Sequence, residues 1–93
     1  MSERGKLERE KALFANLVMM LSSSAMQFLG KLPDPATHSY ETDFENAQVI
    51  IDTLTMLRAR TAVVLDSDET RMLDDVLTSL RMNKVEATQP PPS

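Results

Sequence analysis

The sequence predicts an all-α protein, a long N-terminal helix packed with an antiparallel helical hairpin. Three observations predict it. Nineteen residues from Ala12 to Gly30 carry no charge, a run longer than one strand can use. The 93 residues hold two glycines, four aromatic residues and seven methionines, and strand-like alternation is missing. Prolines and capping residues then divide the remainder into two more segments of helical period. Residues 1–85 read as one helical domain, with helices over about 7–32, 43–61 and 66–85. Residues 86–93 read as a flexible tail.

The first helix carries a seam of Phe14, Leu17, Leu21, Ser24 and Phe28, stepping by three and four. Val18, Ala25, Leu29 and Leu32 widen that seam, and Leu13 and Met20 extend its other flank. Met19 and Met26 fall on yet another side. A surface helix packed on one face would be polar there, and this one offers only Asn16, Ser22, Ser23 and Gln27. Its length meets the minimum for a membrane span. The three consecutive serines and the crowded charges before Ala12 argue against one, and neither a stop-transfer nor a cleavable-signal pattern is present. The better reading is a helix buried twice, by its own domain and by a partner. Ser22–Ala25, a patch of small side chains, is the expected point of close helix approach. Before the helix, Arg4, Lys6, Arg9 and Lys11 balance Glu3, Glu8 and Glu10. That is the pattern of a solvated helix start with pairs such as Lys6–Glu10.

Gly30 suits a helix C-cap, and Pro33 and Pro35 forbid continuation. The single histidine, His38, lies in the loop that follows. With no cysteine and no spaced carboxylate it forms neither a metal site nor a nucleophile–base pair. Thr42 or Asp43 opens the second helix, Thr42 with Glu45 making a capping box. Phe44, Ala47, Ile51 and Leu54 form its inward row, with Ile50 and Leu57 beside it. Asp52 flanks that row, and Arg81 on the third helix is its expected structural ion-pair partner. Ala62–Leu65 is a short connection, which makes the second and third helices antiparallel neighbours. Asp66 with Glu69 again reads as a capping box. Leu73, Val76, Leu77 and Leu80 turn inward, with Met72 nearby, while Arg71, Asp74, Asp75 and Lys84 point out. Adjacent acids such as Asp74 and Asp75 face different directions on a helix, so they are a solvated face and not an acid–base pair.

With these elements placed, the chain resembles the bacterial family catalogued as domain of unknown function 1844, over about Phe14 to Val85. The carrying features are Ser24–Ala25, Leu29–Gly30, Asp34–Pro35, Ala47, Ile51–Asp52, Leu54, Leu57, Thr61, Leu65, Glu69 and Leu80–Arg81–Met82. Val63–Val64 stand where the family typically has Gly-Asn, which makes that turn more apolar. The resemblance implies a small, cytoplasmic, helical protein and raises Asp52 and Arg81 above arbitrary surface charges. It implies no activity.

A net charge of −4 argues against direct nucleic-acid binding. No phosphate loop, zinc pattern or catalytic triad is present, so no cofactor, no metal and no enzymatic activity are expected. The expected function is self-association through the first helix, as a homodimer or larger assembly, with Leu13, Met19, Met20, Ser23 and Met26 at the interface. The alternatives are an accessory or adaptor subunit of a larger bacterial complex, of the translation or secretion machinery, binding another protein with the same face, or a helix that docks on a membrane.

Overall fold

The computed structural model describes residues 2–89, and within them the chain is all-α. Three helices follow in order: α1 over Glu3–Phe28, α2 over Phe44–Arg60 and α3 over Ser67–Thr88.

Helix α1 starts earlier than the hydrophobic pattern implies because Ser2 caps it, its hydroxyl accepting the Gly5 N–H at 3.1 Å. The charged first turns pair Arg4 with Glu8 at 3.6 Å, not Lys6 with Glu10. The helix also ends before Leu32. Gly30 adopts a left-handed φ of 75°, the Lys31 N–H bonds the Met26 carbonyl, and the Gly30 N–H bonds that of Gln27. This pair of bonds is a Schellman stop. The chain then crosses a loop in which the Asp34 carboxylate accepts the Ala36 N–H at 2.7 Å and returns to pair Thr42 with Leu29.

That pairing holds Thr42 in extended backbone, so Asp43 becomes the N-cap of α2. Its carboxylate takes the backbone N–H and the side-chain amide of Asn46 at 3.1 and 2.7 Å. The expected Thr42–Glu45 capping box is therefore replaced. The Asp66–Glu69 box on α3 forms as expected, with bonds of 2.8 and 3.2 Å. Helix α3 continues to Thr88, so residues 86–88 belong to it and not to the tail; residues 90–93 lie outside the described residues.

The core is one cluster of Val18, Ala25, Ile51, Leu54, Leu73, Leu77 and Leu80, with Phe14, Leu21, Met26, Ile50, Leu65, Met72 and Val76 packed against it. On α2 and α3 the inward rows are those the periodicity picks, apart from Phe44, which stays exposed at the end of its row. On α1 the buried line runs through Val18 and Ala25, and Leu17 turns out to solvent. Helices α2 and α3 meet α1 along the groove between them, and the small and branched side chains fill that groove. Ala25 in the small-residue patch is thus consumed inside the protomer.

Lys11 meets Asp66 at one end of the bundle and Lys31 meets Glu86 at the other, each pair 55 positions apart. Helices α1 and α3 are therefore parallel, with α2 antiparallel to both. Because Lys11 already sits against the cap of α3, the first two turns of α1 stand beyond the bundle. Every residue from Glu3 to Glu10 except Gly5 is exposed. The overhang elongates the molecule to 57 × 28 × 18 Å. Its radius of gyration is 15.5 Å, against about 12 Å for a compact chain of this length.

Candidate interaction face

Helix α1 buries one arc and leaves another apolar arc open. Leu13, Leu17 and Met20 are 54, 45 and 59% exposed. They step by four and three, so they lie in one row, which Ser24 continues. Phe14, Leu21 and Phe28, each half-buried, form the boundary between this row and the core.

The residues expected at an interface divide. Leu13 and Met20 belong to the open row. Met19 and Ser23 are exposed on a different side of the helix, and Met26 packs against the core. Leu17 belongs to the row but reads from sequence as core. The signal that assigns it is the four–three spacing shared with Leu13 and Met20, which an equally regular neighbouring seam obscures.

The two ends of the row differ in charge. Lys6 and Arg9 continue it along the overhang, and among the described residues neither makes an ion pair. At the other end a shallow cleft is lined by Gln27, Phe28, Asp34, Glu41, Thr42 and Asp43. Its three carboxylates accept only neutral donors: the Ala36 N–H for Asp34, the Ser39 hydroxyl for Glu41 and Asn46 for Asp43.

The outer edge of the α2–α3 contact is polar. Asp52 and Arg81 do not form the expected pair. Asp52 accepts the Gln48 amide at 2.8 Å, and Gln48 in turn accepts Lys84 from α3. Arg81 donates to the Thr55 hydroxyl at 3.0 Å. The ion pair between these helices is Arg58–Asp74 at 2.9 Å. Asp52 faces Gln48 on its own helix, one turn away, and a neutral amide relays it to the lysine. Asp74, Asp75 and Arg71 are exposed as expected, and Lys84 is half-buried in the seam.

Among the described residues three groups titrate away from their ordinary values. A hydrogen bond and the charge of Lys11 hold the Asp66 carboxyl down, the bond being the largest cause, and the same contact holds the Lys11 ammonium up. A hydrogen bond from Lys31 and its charge lower Glu86. All three belong to the surface staples of the bundle. His38 is exposed in its loop with a left-handed φ of 59°. Among the described residues no group of three His, Asp or Glu side chains is placed to hold a metal ion. No helix there is long and apolar enough to cross a membrane.

A family model described as Domain of unknown function (DUF1844) matches residues 11–86. No curated protein and no solved structure matches the chain.

Proposed function

The chain belongs to the domain of unknown function 1844 family, and we propose that it is a cytoplasmic, non-enzymatic interaction module that self-associates through α1. The observation that carries this reading is the open row of Leu13, Leu17 and Met20. A small monomer gains nothing by exposing three large side chains in register, whereas a second apolar surface removes them from water at about 25 cal/mol per Å². From α1 the core takes Val18 and Ala25, with Phe14, Leu21 and Met26 packed against it, and Leu13, Leu17 and Met20 are not among its members. The absence of cysteine fits a reducing compartment.

Light scattering across a micromolar dilution series tests the reading. The expected result is a mass above the 10.4 kDa of one chain, lost in Leu17→Glu while the helical circular dichroism is retained. A wild-type protein that stays at monomer mass throughout would sink it.

A further inference from the structure

Resting on the self-association reading, we infer that two copies pair α1 against α1 in antiparallel orientation, with the overhang of each copy seated at the acidic cleft of the other.

The row and its two ends carry the argument. Lys6 and Arg9 lie on the same side of α1 as Leu13, Leu17 and Met20, within an arc of about 100° at 3.6 residues per turn. Gln27 and Phe28 bound the same arc at the far end and line the cleft that holds Asp34, Glu41 and Asp43. Glu10 stands at the edge of that arc on the line of Phe28, so Lys6 and Arg9 leave the near end with a net positive charge, and the face reads basic, apolar, acidic along its length. A two-fold axis perpendicular to α1 between Leu17 and Met20 superposes the apolar centres, sets Leu13 opposite Ser24 and brings each basic end to the partner's acidic end. A parallel pair would set Lys6 against Lys6, Arg9 against Arg9 and one acidic cleft against the other, which opposes association.

The overhang supports the same orientation. Residues 3–10, exposed except for Gly5, run past the edge of their own bundle that Lys11 marks at Asp66. In the antiparallel pair they run alongside the partner's loop and lengthen the contact from three apolar residues to the whole of α1. A helix of 26 residues is about 39 Å long. That length gives the contact scope to approach the roughly 800 Å² per partner of a stable interface. The inward side of α1 is already committed to α2 and α3, so the pairing needs no rearrangement of the core.

The chain has no cysteine, so single introduced thiols report the geometry directly. Met20→Cys, near the axis, is expected to form a disulfide-linked dimer with itself. Leu13→Cys is expected not to do so, but to cross-link to Ser24→Cys when the two variants are mixed. Efficient self-cross-linking of Leu13→Cys would mean a parallel pair and overturn the inference. A second test uses charge. The double variants Lys6→Glu/Arg9→Glu and Asp34→Lys/Glu41→Lys should each weaken the dimer by about tenfold, through loss and reversal of the paired charges. Mixed, they restore opposite charges at both ends, so a heterodimer of near wild-type affinity is expected. Absence of that rescue, with wild-type protein dimeric, overturns the orientation and leaves self-association standing. A monomeric wild-type protein overturns both.

Discussion

The ammonium of Lys11 lies 2.6 Å from the carboxylate of Asp66, so the first helix is tied to the residue that starts the third. Asp66 also accepts the Glu69 N–H, and one side chain therefore sets both where α3 begins and where α1 crosses it. Lys31 and Glu86 repeat the contact at the far end with the same sequence offset. Two contacts at one offset mark the register of parallel helices that share no short connection, a register that the common apolar core also holds.

The staples predict a pH dependence. The folded state holds Asp66 below its ordinary value of 3.8 and Glu86 below its ordinary value of 4.5. At acid pH the unfolded chain therefore binds more protons, and stability rises with pH through that range. The contribution is complete above the ordinary carboxylate values and is lost as pH falls through the lowered ones. Urea midpoints measured from neutral pH down into the acid range should fall more steeply for wild type than for Asp66→Asn. Parallel curves for the two proteins would refute the linkage. At the alkaline end Lys11, held above 10.5, works in the opposite sense: its contribution is present at neutral pH and lost as pH rises through the raised value.

A double-mutant cycle separates the two cross-helix arrangements on α2 and α3. Arg58 and Asp74 are joined at 2.9 Å and partly exposed, so their coupling should be about 0.2–1 kcal/mol. Asp52 and Arg81 have different partners, Gln48 and Thr55, and the coupling between them should lie near zero. Denaturant unfolding of the single and double alanine variants measures both. A larger coupling for Asp52–Arg81 than for Arg58–Asp74 would overturn the assignment.

That contrast shows where the sequence was informative. The existence of three helices, the α2–α3 hairpin and the inward rows through Ile51, Leu54, Leu73, Leu77 and Leu80 follow from periodicity, because charged and polar residues separate those rows from the few apolar residues, such as Val49 and Met82, that stay exposed. The Asp66–Glu69 cap follows from local chemistry. Helix α1 defeats the same method. Its apolar arc is too wide for period alone to say which part faces inward, so Leu17 reads as core while Val18 and Ala25 take that place. The true limits of α1 depend on Ser2 and on the left-handed Gly30. Asp52 and Arg81 lie on neighbouring helices, but side-chain reach and the intervening Gln48 give them different partners. The acidic cleft is assembled by the loop's return to Leu29, a tertiary event that no spacing encodes.

Gly30 is the position where the backbone itself demands its residue. Its φ of 75° disfavours any side chain, and a Cβ there would come within 2.8 Å of the Thr42 Cγ2. Gly30→Ala should cost about 1–2 kcal/mol from the left-handed conformation alone, with the steric contact added. Thr42→Ser removes the offending methyl, so the double variant should recover the steric part and keep the conformational part. Unfolding midpoints of the four proteins decide the question. Full recovery in the double variant would show that φ contributes nothing, and no recovery would show that the methyl does not matter.

The α2–α3 connection provides the control for association. Val63 is 97% exposed and Val64 79%, more open than any side chain of the α1 row. If exposed apolar area alone drove self-association, Val63→Asn/Val64→Asn should abolish it. The turn is instead isolated: Val63 and Val64 are adjacent residues on a tight loop, whereas Leu13, Leu17 and Met20 present a continuous helical row. The valine variant should therefore keep the wild-type mass by light scattering, and its stability should change by no more than about 0.5 kcal/mol, as for other surface positions without packing. Met20→Lys, with a side chain of similar length and a charge, should lose the association while leaving the fold intact. The opposite outcome, a monomeric valine variant beside an unaffected Met20→Lys, would move the interface from α1 to the turn.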